Sequence, residues 1–83
     1  MKKIVLFDMD GTLTPAREKM TNVMCRKLEH LQRNGFEIGI VTGSDMDYLK
    51  QQCDILFGFS PVDFTKIHYL PCNGTKYYMY QSQ

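Results

Sequence analysis

Two acidic residues, Asp8 and Asp10, stand two positions apart directly after a short apolar run. At the end of a strand, carboxylates at this spacing can point the same way. One can then act as a nucleophile or metal ligand while the other donates or accepts a proton. Gly11 follows and allows a sharp turn. An Asp-x-Asp pair alone is more often a solvated turn, but this pair at a strand end indicates a catalytic dyad.

A second polar cluster, Thr42-Gly43-Ser44, ends another apolar run. Hydroxyls and backbone N–H groups near a helix N-terminus stabilise the negative charge of a phosphate, although such a cluster by itself is more often only a helix cap. Together the two clusters predict phosphoryl transfer. A carboxylate can attack a phosphate only when a divalent cation and fixed donors offset the charge repulsion. We expect Mg²⁺ on Asp8, because all-oxygen ligation at a phosphate site suits this ion.

The segments around these clusters predict the elements that position them. Lys3 to Phe7 and Phe36 to Val41 are apolar runs typical of strands in a parallel sheet. Apolar residues recur at helical spacing from Met20 to Arg33, and a second helix is expected through about Gln52. This order predicts a right-handed βαβ unit in a small, doubly wound (Rossmann-like) α/β fold with flanking helices. Ligands bind beyond the carboxyl ends of such strands, where both clusters fall.

Capping residues mark where the two helices begin and end. Thr21 or Asn22 is suited to cap the first helix, and Ser44 or Asp45 the second. Asn34-Gly35 is a typical left-handed stop for the first helix.

The second half of the chain has a weaker pattern. A turn is expected at Ser60-Pro61-Val62-Asp63, and a third strand from Lys66 to Leu70. Asn73-Gly74 then predicts a tight hairpin or bend that leads into Tyr77 to Tyr80.

Length and composition exclude several classes of protein. The chain has 83 residues, a formal net charge of +1 and 43% apolar residues, so it has room for one core. The balanced charge argues against a nucleic-acid partner. No window approaches the roughly 20 apolar residues of a membrane span, so no membrane partner is expected. Cys25, Cys53 and Cys72 form no Cys-x-x-Cys pair, which favours reduced thiols and a cytoplasmic location.

Several motifs together resemble one known family. Asp8-Met9-Asp10-Gly11-Thr12-Leu13-Thr14 resembles the first signature of the haloacid dehalogenase superfamily of phosphohydrolases and phosphotransferases. Thr14-Pro15-Ala16-Arg17, Gly43-Ser44-Asp45, and Asn73-Gly74 followed by Tyr77-Tyr78 more narrowly resemble the amino-terminal core of eukaryotic-type phosphomannomutases. The resemblance runs from about residue 3 to residue 80.

This resemblance implies a role for each matching residue. Asp8 would form an aspartyl-phosphate, and Asp10 would be the general acid/base, with its backbone carbonyl also touching Mg²⁺. The loop 42–44 would hold the transferring phosphoryl group, and Arg17 would contact a phosphate or the sugar of the substrate. Thr42 stands where these enzymes usually have glycine, which leaves open whether Thr42 or Ser44 supplies the main hydroxyl.

The chain also departs from the family pattern. Cys72 stands where an acidic residue often precedes Asn-Gly. The family's core continues further and supplies a later lysine and an acidic pair, and a cap domain selects the substrate. Lys66 and Lys76 lie in no matching context. Residues 1–83 are therefore expected to form a single core domain that is incomplete relative to the family.

Two functions follow as hypotheses. The first is Mg²⁺-dependent phosphoryl transfer on a small phosphorylated sugar, by a phosphomannomutase-like enzyme or a phosphatase, through Asp8. The alternative is a catalytically incomplete module that binds phosphate or magnesium, or that forms a homo-oligomer, because about three strands leave sheet edges and one face poorly covered. A receiver-type phosphoacceptor domain fits worse, since its acceptor would follow a later strand.

Overall fold

Three parallel strands form the sheet in the computed structural model, which describes residues 3–14, 18–58 and 62–80. The strands are β1 (Lys3–Asp8), β2 (Phe36–Val41) and β3 (Ile67–Leu70), in the spatial order β1-β2-β3. Asp8 pairs with Val41 in the register of β1 and β2, so these two strands end side by side. The predicted α/β fold with a parallel sheet is confirmed, and the third strand begins one residue later than expected.

Two helices connect the strands, α1 (Asn22–Arg33) and α2 (Met46–Gln52). The side chain of Thr21 caps α1 and that of Asp45 caps α2, each by accepting a hydrogen bond from the backbone N–H three residues on, at 3.2 and 2.9 Å. Both caps are among the predicted candidates. Gly35 follows α1 with φ of 88°, the left-handed stop that the sequence predicts. No helix in the described ranges combines the length and apolar character that a membrane crossing requires.

The core lies on one face of the sheet, where both helices pack. Ile38 and Ile40 of β2 face it together with Ile67 and Tyr69 of β3, and all four side chains are fully buried. The helices and loops complete this core with Met9, Leu13, Met20, Cys25, Leu28, Leu49, Cys53, Leu56 and Val62.

The opposite face of the sheet is open. Ile4 and Leu6 of β1 are 51% and 61% exposed there. Leu6 lies over Gly39, its neighbour in β2, so closely that a Cβ at this glycine would collide with the leucine side chain. On β3, the ring of His68 lies 2.6 Å from a carboxylate oxygen of Glu37 and 2.6 Å from the hydroxyl of Tyr77.

After α2 the chain continues through two short 3₁₀ helices, Asp54–Phe57 and Phe64–Lys66. Part of the turn predicted at 60–63 lies outside the described residues. Beyond β3 the chain reverses, as Asn73-Gly74 predicts, and Tyr69 and Tyr78 exchange two backbone hydrogen bonds of 2.9 and 2.8 Å. The returning segment makes this single bridge and forms no strand of its own among residues 71–80.

Candidate functional site

Asp8 is the last residue of β1, and Asp10 follows it on the exposed side of the chain. Met9 between them is fully buried, and its backbone N–H donates to the carbonyl of Val41 at 2.9 Å. The strand alternation thus continues past the end of β1, so one side chain enters the core while the two carboxylates face solvent. Neither carboxylate has a hydrogen bond or ion pair with a residue that the structure describes.

The turn after Asp10 is held by backbone hydrogen bonds and by the buried side chain of Thr14. The N–H groups of Leu13 and Thr14 donate to the carbonyl of Met9 at 3.0 and 2.8 Å, and Gly11 donates to Thr14 at 2.7 Å. The hydroxyl of Thr14 also donates to Met9, at 3.1 Å. Gly11 has φ of 81°, a conformation that glycine adopts without strain. These contacts fix the backbone at Asp10. The Asp10 carbonyl accepts none of the backbone hydrogen bonds described for this turn.

The loop 42–44 lies at the same edge of the sheet, directly after β2. The N–H of Thr42 donates to the carbonyl of Leu70 at 3.2 Å, so this loop also borders the end of β3. Thr42 is only 5% exposed, and its hydroxyl oxygen accepts the N–H of Ser44 at 3.1 Å. Gly43 is exposed and Ser44 is half-buried. Of the two candidate hydroxyls, that of Ser44 is the more accessible, while that of Thr42 shapes the loop.

Asn73 is a residue of this site that the sequence reasoning did not assign to it. Its N–H donates to the carbonyl of Thr42, and the N–H of Cys72 donates to that of Ser44, both at 2.8 Å. The side-chain oxygen of Asn73 lies 3.1 Å from where a Cβ at Gly43 would stand. From the sequence, Asn73-Gly74 predicts a turn and contributes to the family resemblance, but it is given no role in the site. Because it follows the third parallel strand, the rule that places ligands at the carboxyl edge could have identified it.

The thiol of Cys53, at the end of α2, is fully buried. Burial, together with the negative charges of Asp54 and Asp10, raises the pKa of Cys53 to about 12. The thiol therefore stays protonated at neutral pH.

The oxygen donors of the dyad suit Mg²⁺ in chemical type. They comprise the exposed carboxylate of Asp8 and the backbone carbonyl of Asp10, which no backbone hydrogen bond of the turn uses. No group of three His, Cys, Asp or Glu side chains gathers as a metal site within the described ranges. Mg²⁺ is commonly held by one or two carboxylates, with water and substrate phosphate completing its shell, so these donors fit it.

Arg17, the predicted substrate contact, lies outside the described residues. The structure therefore brings together Asp8, Asp10 and the loop 42–44 at one sheet edge and gives no position for this arginine.

A family profile for haloacid dehalogenase-like hydrolases matches residues 5–83. The chain belongs to this family. The match begins inside β1 and includes every site residue described above, so the candidate site lies within the matched region.

Phosphomannomutases are among the relatives of this haloacid dehalogenase-like chain. It is 44% identical over 54 residues to the phosphomannomutase of Schizosaccharomyces pombe. These 54 residues are 65% of the chain and 21% of the relative. It is 49% identical over 51 residues to that of Encephalitozoon cuniculi (61% and 20%), and 45% identical over 49 residues to phosphomannomutase 1 of Mus musculus (59% and 18%). The chain thus spans about a fifth of the length of these relatives.

Proposed function

We propose that the chain catalyses Mg²⁺-dependent phosphoryl transfer on a small phosphorylated sugar, as a phosphomannomutase-like enzyme or a phosphatase. The reaction would pass through an aspartyl-phosphate on Asp8. The observation that carries this proposal is the exposed carboxylate of Asp8 at the end of β1, beside the loop that follows β2. Membership of the haloacid dehalogenase-like hydrolases supports the reaction class, and the similarity to phosphomannomutases supports the sugar phosphate.

In the proposed reaction, a carboxylate oxygen of Asp8 attacks the phosphorus of the substrate. The bond between phosphorus and the sugar oxygen breaks, and Asp10 donates its proton to that leaving oxygen. Asp10 then takes a proton from the water or sugar hydroxyl that attacks the aspartyl-phosphate, which frees Asp8 and restores the starting state. A phosphatase uses water in this second step, and a mutase uses a sugar hydroxyl.

Donors at the end of β2 are suited to hold the phosphoryl oxygens. We assign the Gly43 backbone N–H and the Ser44 hydroxyl to direct contact, since both residues are accessible, and the buried Thr42 hydroxyl to the shape of the loop. We retain Arg17 as the proposed contact to a substrate phosphate or its sugar.

Mg²⁺ is proposed to be held by the Asp8 carboxylate and the Asp10 backbone carbonyl. When bound, it would offset the repulsion between the attacking carboxylate and the phosphoryl group.

The alternative is a module that is catalytically incomplete and binds phosphate or Mg²⁺, or associates with a second copy. The exposed Ile4 and Leu6 on the open face favour it, because apolar sheet surface is commonly covered by a partner. In either case we propose one core domain over residues 1–83. We also propose a cytoplasmic location, because three widely spaced cysteines without a Cys-x-x-Cys pair favour reduced thiols.

The test is turnover by the purified chain with Mg²⁺, a panel of sugar phosphates and a generic aryl phosphate. Phosphate release and sugar-phosphate isomerisation are measured for the wild type, for Asp8→Asn and for the control Asp47→Asn, which changes an exposed carboxylate on α2. We expect activity in the wild type and the control and its loss in Asp8→Asn. Labelled phosphate trapped on the wild-type chain and absent from Asp8→Asn would identify the covalent step.

Absence of both turnover and trapped phosphate from a chain that is folded by circular dichroism would contradict the enzyme and leave the binding module. Equal activity in the wild type and Asp8→Asn would contradict the assignment of Asp8 as the nucleophile.

A further inference from the structure

A row of hydrogen-bonded side chains joins three segments of the chain on the face of the sheet opposite the core. Glu37 of β2 and His68 of β3 share this face, because Gly39, two residues after Glu37, pairs with His68. Nε2 of His68 lies 2.6 Å from a carboxylate oxygen of Glu37, and each of these two side chains is only 15% exposed. Nδ1 of His68 lies 2.6 Å from the hydroxyl of Tyr77, and the two rings stack with centroids 5.7 Å apart. We call these three side chains the Glu-His-Tyr row.

The partners of His68 determine where its ring carries a proton. A carboxylate only accepts hydrogen bonds, so the Nε2 that faces Glu37 bears the hydrogen. In the neutral ring Nδ1 is then an acceptor, and the Tyr77 hydroxyl donates to it. That hydroxyl also lies 3.4 Å from Sδ of Met79, which is a weak acceptor, but it has a single proton to give. Glu37 therefore sets the tautomer of His68, and the tautomer sets the direction of the bond to Tyr77.

Tyr77 belongs to the segment that returns along β3 from the bend at residues 71–75. Two backbone hydrogen bonds of 3.1 Å and the hydroxyl of Thr75 close this bend. The bend is therefore a compact unit whose placement depends on its two ends, β3 and the returning segment. Near the bend, the returning segment is held by the backbone bridge of Tyr78 and by the side chain of Tyr77.

The bend in turn holds the loop 42–44. The N–H of Cys72 donates to the carbonyl of Ser44 at 2.8 Å. The N–H of Asn73 donates to that of Thr42 at the same distance. Hydrogen bonds weaken steeply as they depart from linearity, so a small rotation of the bend would loosen both. The orientation of the bend therefore affects the loop to which the phosphoryl group is assigned.

We propose that the Glu-His-Tyr row positions the loop 42–44, a role that rests on the proposed function of this loop in holding the phosphoryl group. The carboxylate of Glu37 fixes the tautomer of His68, and the ring of His68 fixes the side chain of Tyr77. Tyr77 then fixes the angle at which the bend meets the loop. The three residues act through backbone N–H groups of the bend rather than by contact with the substrate.

Two variants of the full chain break the row while keeping its shape. Tyr77→Phe removes the hydroxyl and keeps a ring that can stack on His68. Glu37→Gln replaces a pure acceptor by an amide that donates as well as accepts, so the tautomer of His68 is no longer set. The control Tyr78→Phe removes a hydroxyl from the neighbouring residue, whose bridge to Tyr69 is made by backbone atoms. Circular dichroism checks that each variant is folded.

Two NMR measurements test the row without relying on activity. The first correlates the ring nitrogens of His68 at about pH 9, above the range in which histidine usually changes its charge. It should show the proton on Nε2 in the wild type and a mixture of tautomers in Glu37→Gln. The second follows backbone amides. Those of the loop 42–44 should shift in both variants, and those of Cys72 and Asn73 should exchange roughly tenfold faster. Tyr78→Phe should match the wild type.

The turnover assay tests the consequence for the proposed reaction. We expect kcat/KM for phosphate release to fall roughly tenfold in Tyr77→Phe and in Glu37→Gln, mainly through kcat, because a misplaced loop aligns the phosphate less well for attack. The double variant should lose no more than either single variant, since both changes act through His68. A folded wild type without turnover would contradict the proposed function. Wild-type turnover that both variants retain in full would overturn the role of the row alone.

Three further results would overturn the proposal. The first is a wild-type His68 that carries its proton on Nδ1. The second is a set of loop resonances and exchange rates that Tyr77→Phe and Glu37→Gln leave unchanged, or that Tyr78→Phe alters equally. The third is a double variant whose loss of kcat/KM is the product of the two single losses, which would mean that Glu37 and Tyr77 act independently.

Discussion

Asn73 connects two loops of the candidate site through backbone and side chain together. Its N–H holds the Thr42 carbonyl, and its side-chain oxygen lies against Gly43. Its φ of 57° is left-handed, a region that asparagine tolerates better than most residues. This geometry makes Asn73 a positioning residue for the loop that we propose holds the phosphoryl group.

Asn73→Gly tests this role, because glycine keeps the left-handed backbone and removes only the amide. We expect kcat/KM for phosphate release to fall roughly tenfold to a hundredfold, as misplacement of a phosphate-holding loop would cause. The melting temperature should change little. Asn22→Ala, at an exposed position at the start of α1, is the control. An unchanged kcat/KM in Asn73→Gly would limit Asn73 to forming the turn.

At the scale of elements, the first half of the chain was predictable because local signals agreed with one another. The apolar runs, Thr21, Asp45 and Gly35 marked the bounds of two strands and two helices within a residue or two. The loop 42–44 and the acidic dyad met as expected, since parallel strands end at one edge. What local patterns could not supply was packing between distant segments. The hydrogen bond from Thr42 to Leu70 and the contact of Asn73 with Gly43 join segments remote in sequence.

The helix caps make a prediction at this scale. Thr21→Ala removes the hydroxyl that accepts a hydrogen bond at the start of α1, so we expect the free energy of unfolding to fall by about 1 kcal/mol. Thr21→Ser keeps an accepting oxygen and should recover most of that loss. Urea unfolding followed by circular dichroism measures both. Equal destabilisation by alanine and serine would mean that the threonine methyl, rather than the cap, stabilises this end of the helix.

At the scale of the whole molecule, the single core contains two groups that resist ionisation. Burial raises the pKa of Cys53 from 9.0 to about 12, and it also raises the pKa of Tyr69. In the unfolded chain both groups titrate nearer their ordinary values. Folding thus becomes coupled to proton binding in alkaline solution.

The sign of this coupling predicts an alkaline loss of stability. Because the folded-state pKa of Cys53 is raised, its contribution to the free energy of unfolding is fully present below pH 9. It declines from there towards pH 12. Urea unfolding at pH 7 to 11 should therefore show a falling midpoint. Cys53→Ala should have a shallower decline, although it is less stable at neutral pH because a buried side chain is shortened. Parallel curves for the two proteins would exclude Cys53 as a source of the effect.

The close fit of Leu6 over Gly39 also affects where Asp8 lies relative to the loop 42–44. Gly39 leaves a notch in the surface of β2, and Leu6 fills it two residues before Asp8. A slip of β1 by one residue would turn Leu6 to the other face and leave the notch empty. The fit of Leu6 into this notch therefore favours one register of β1 against β2. This register sets how far the carboxylate that we propose as the nucleophile reaches relative to the neighbouring loop, although we propose no chemical role for Leu6 or Gly39 themselves.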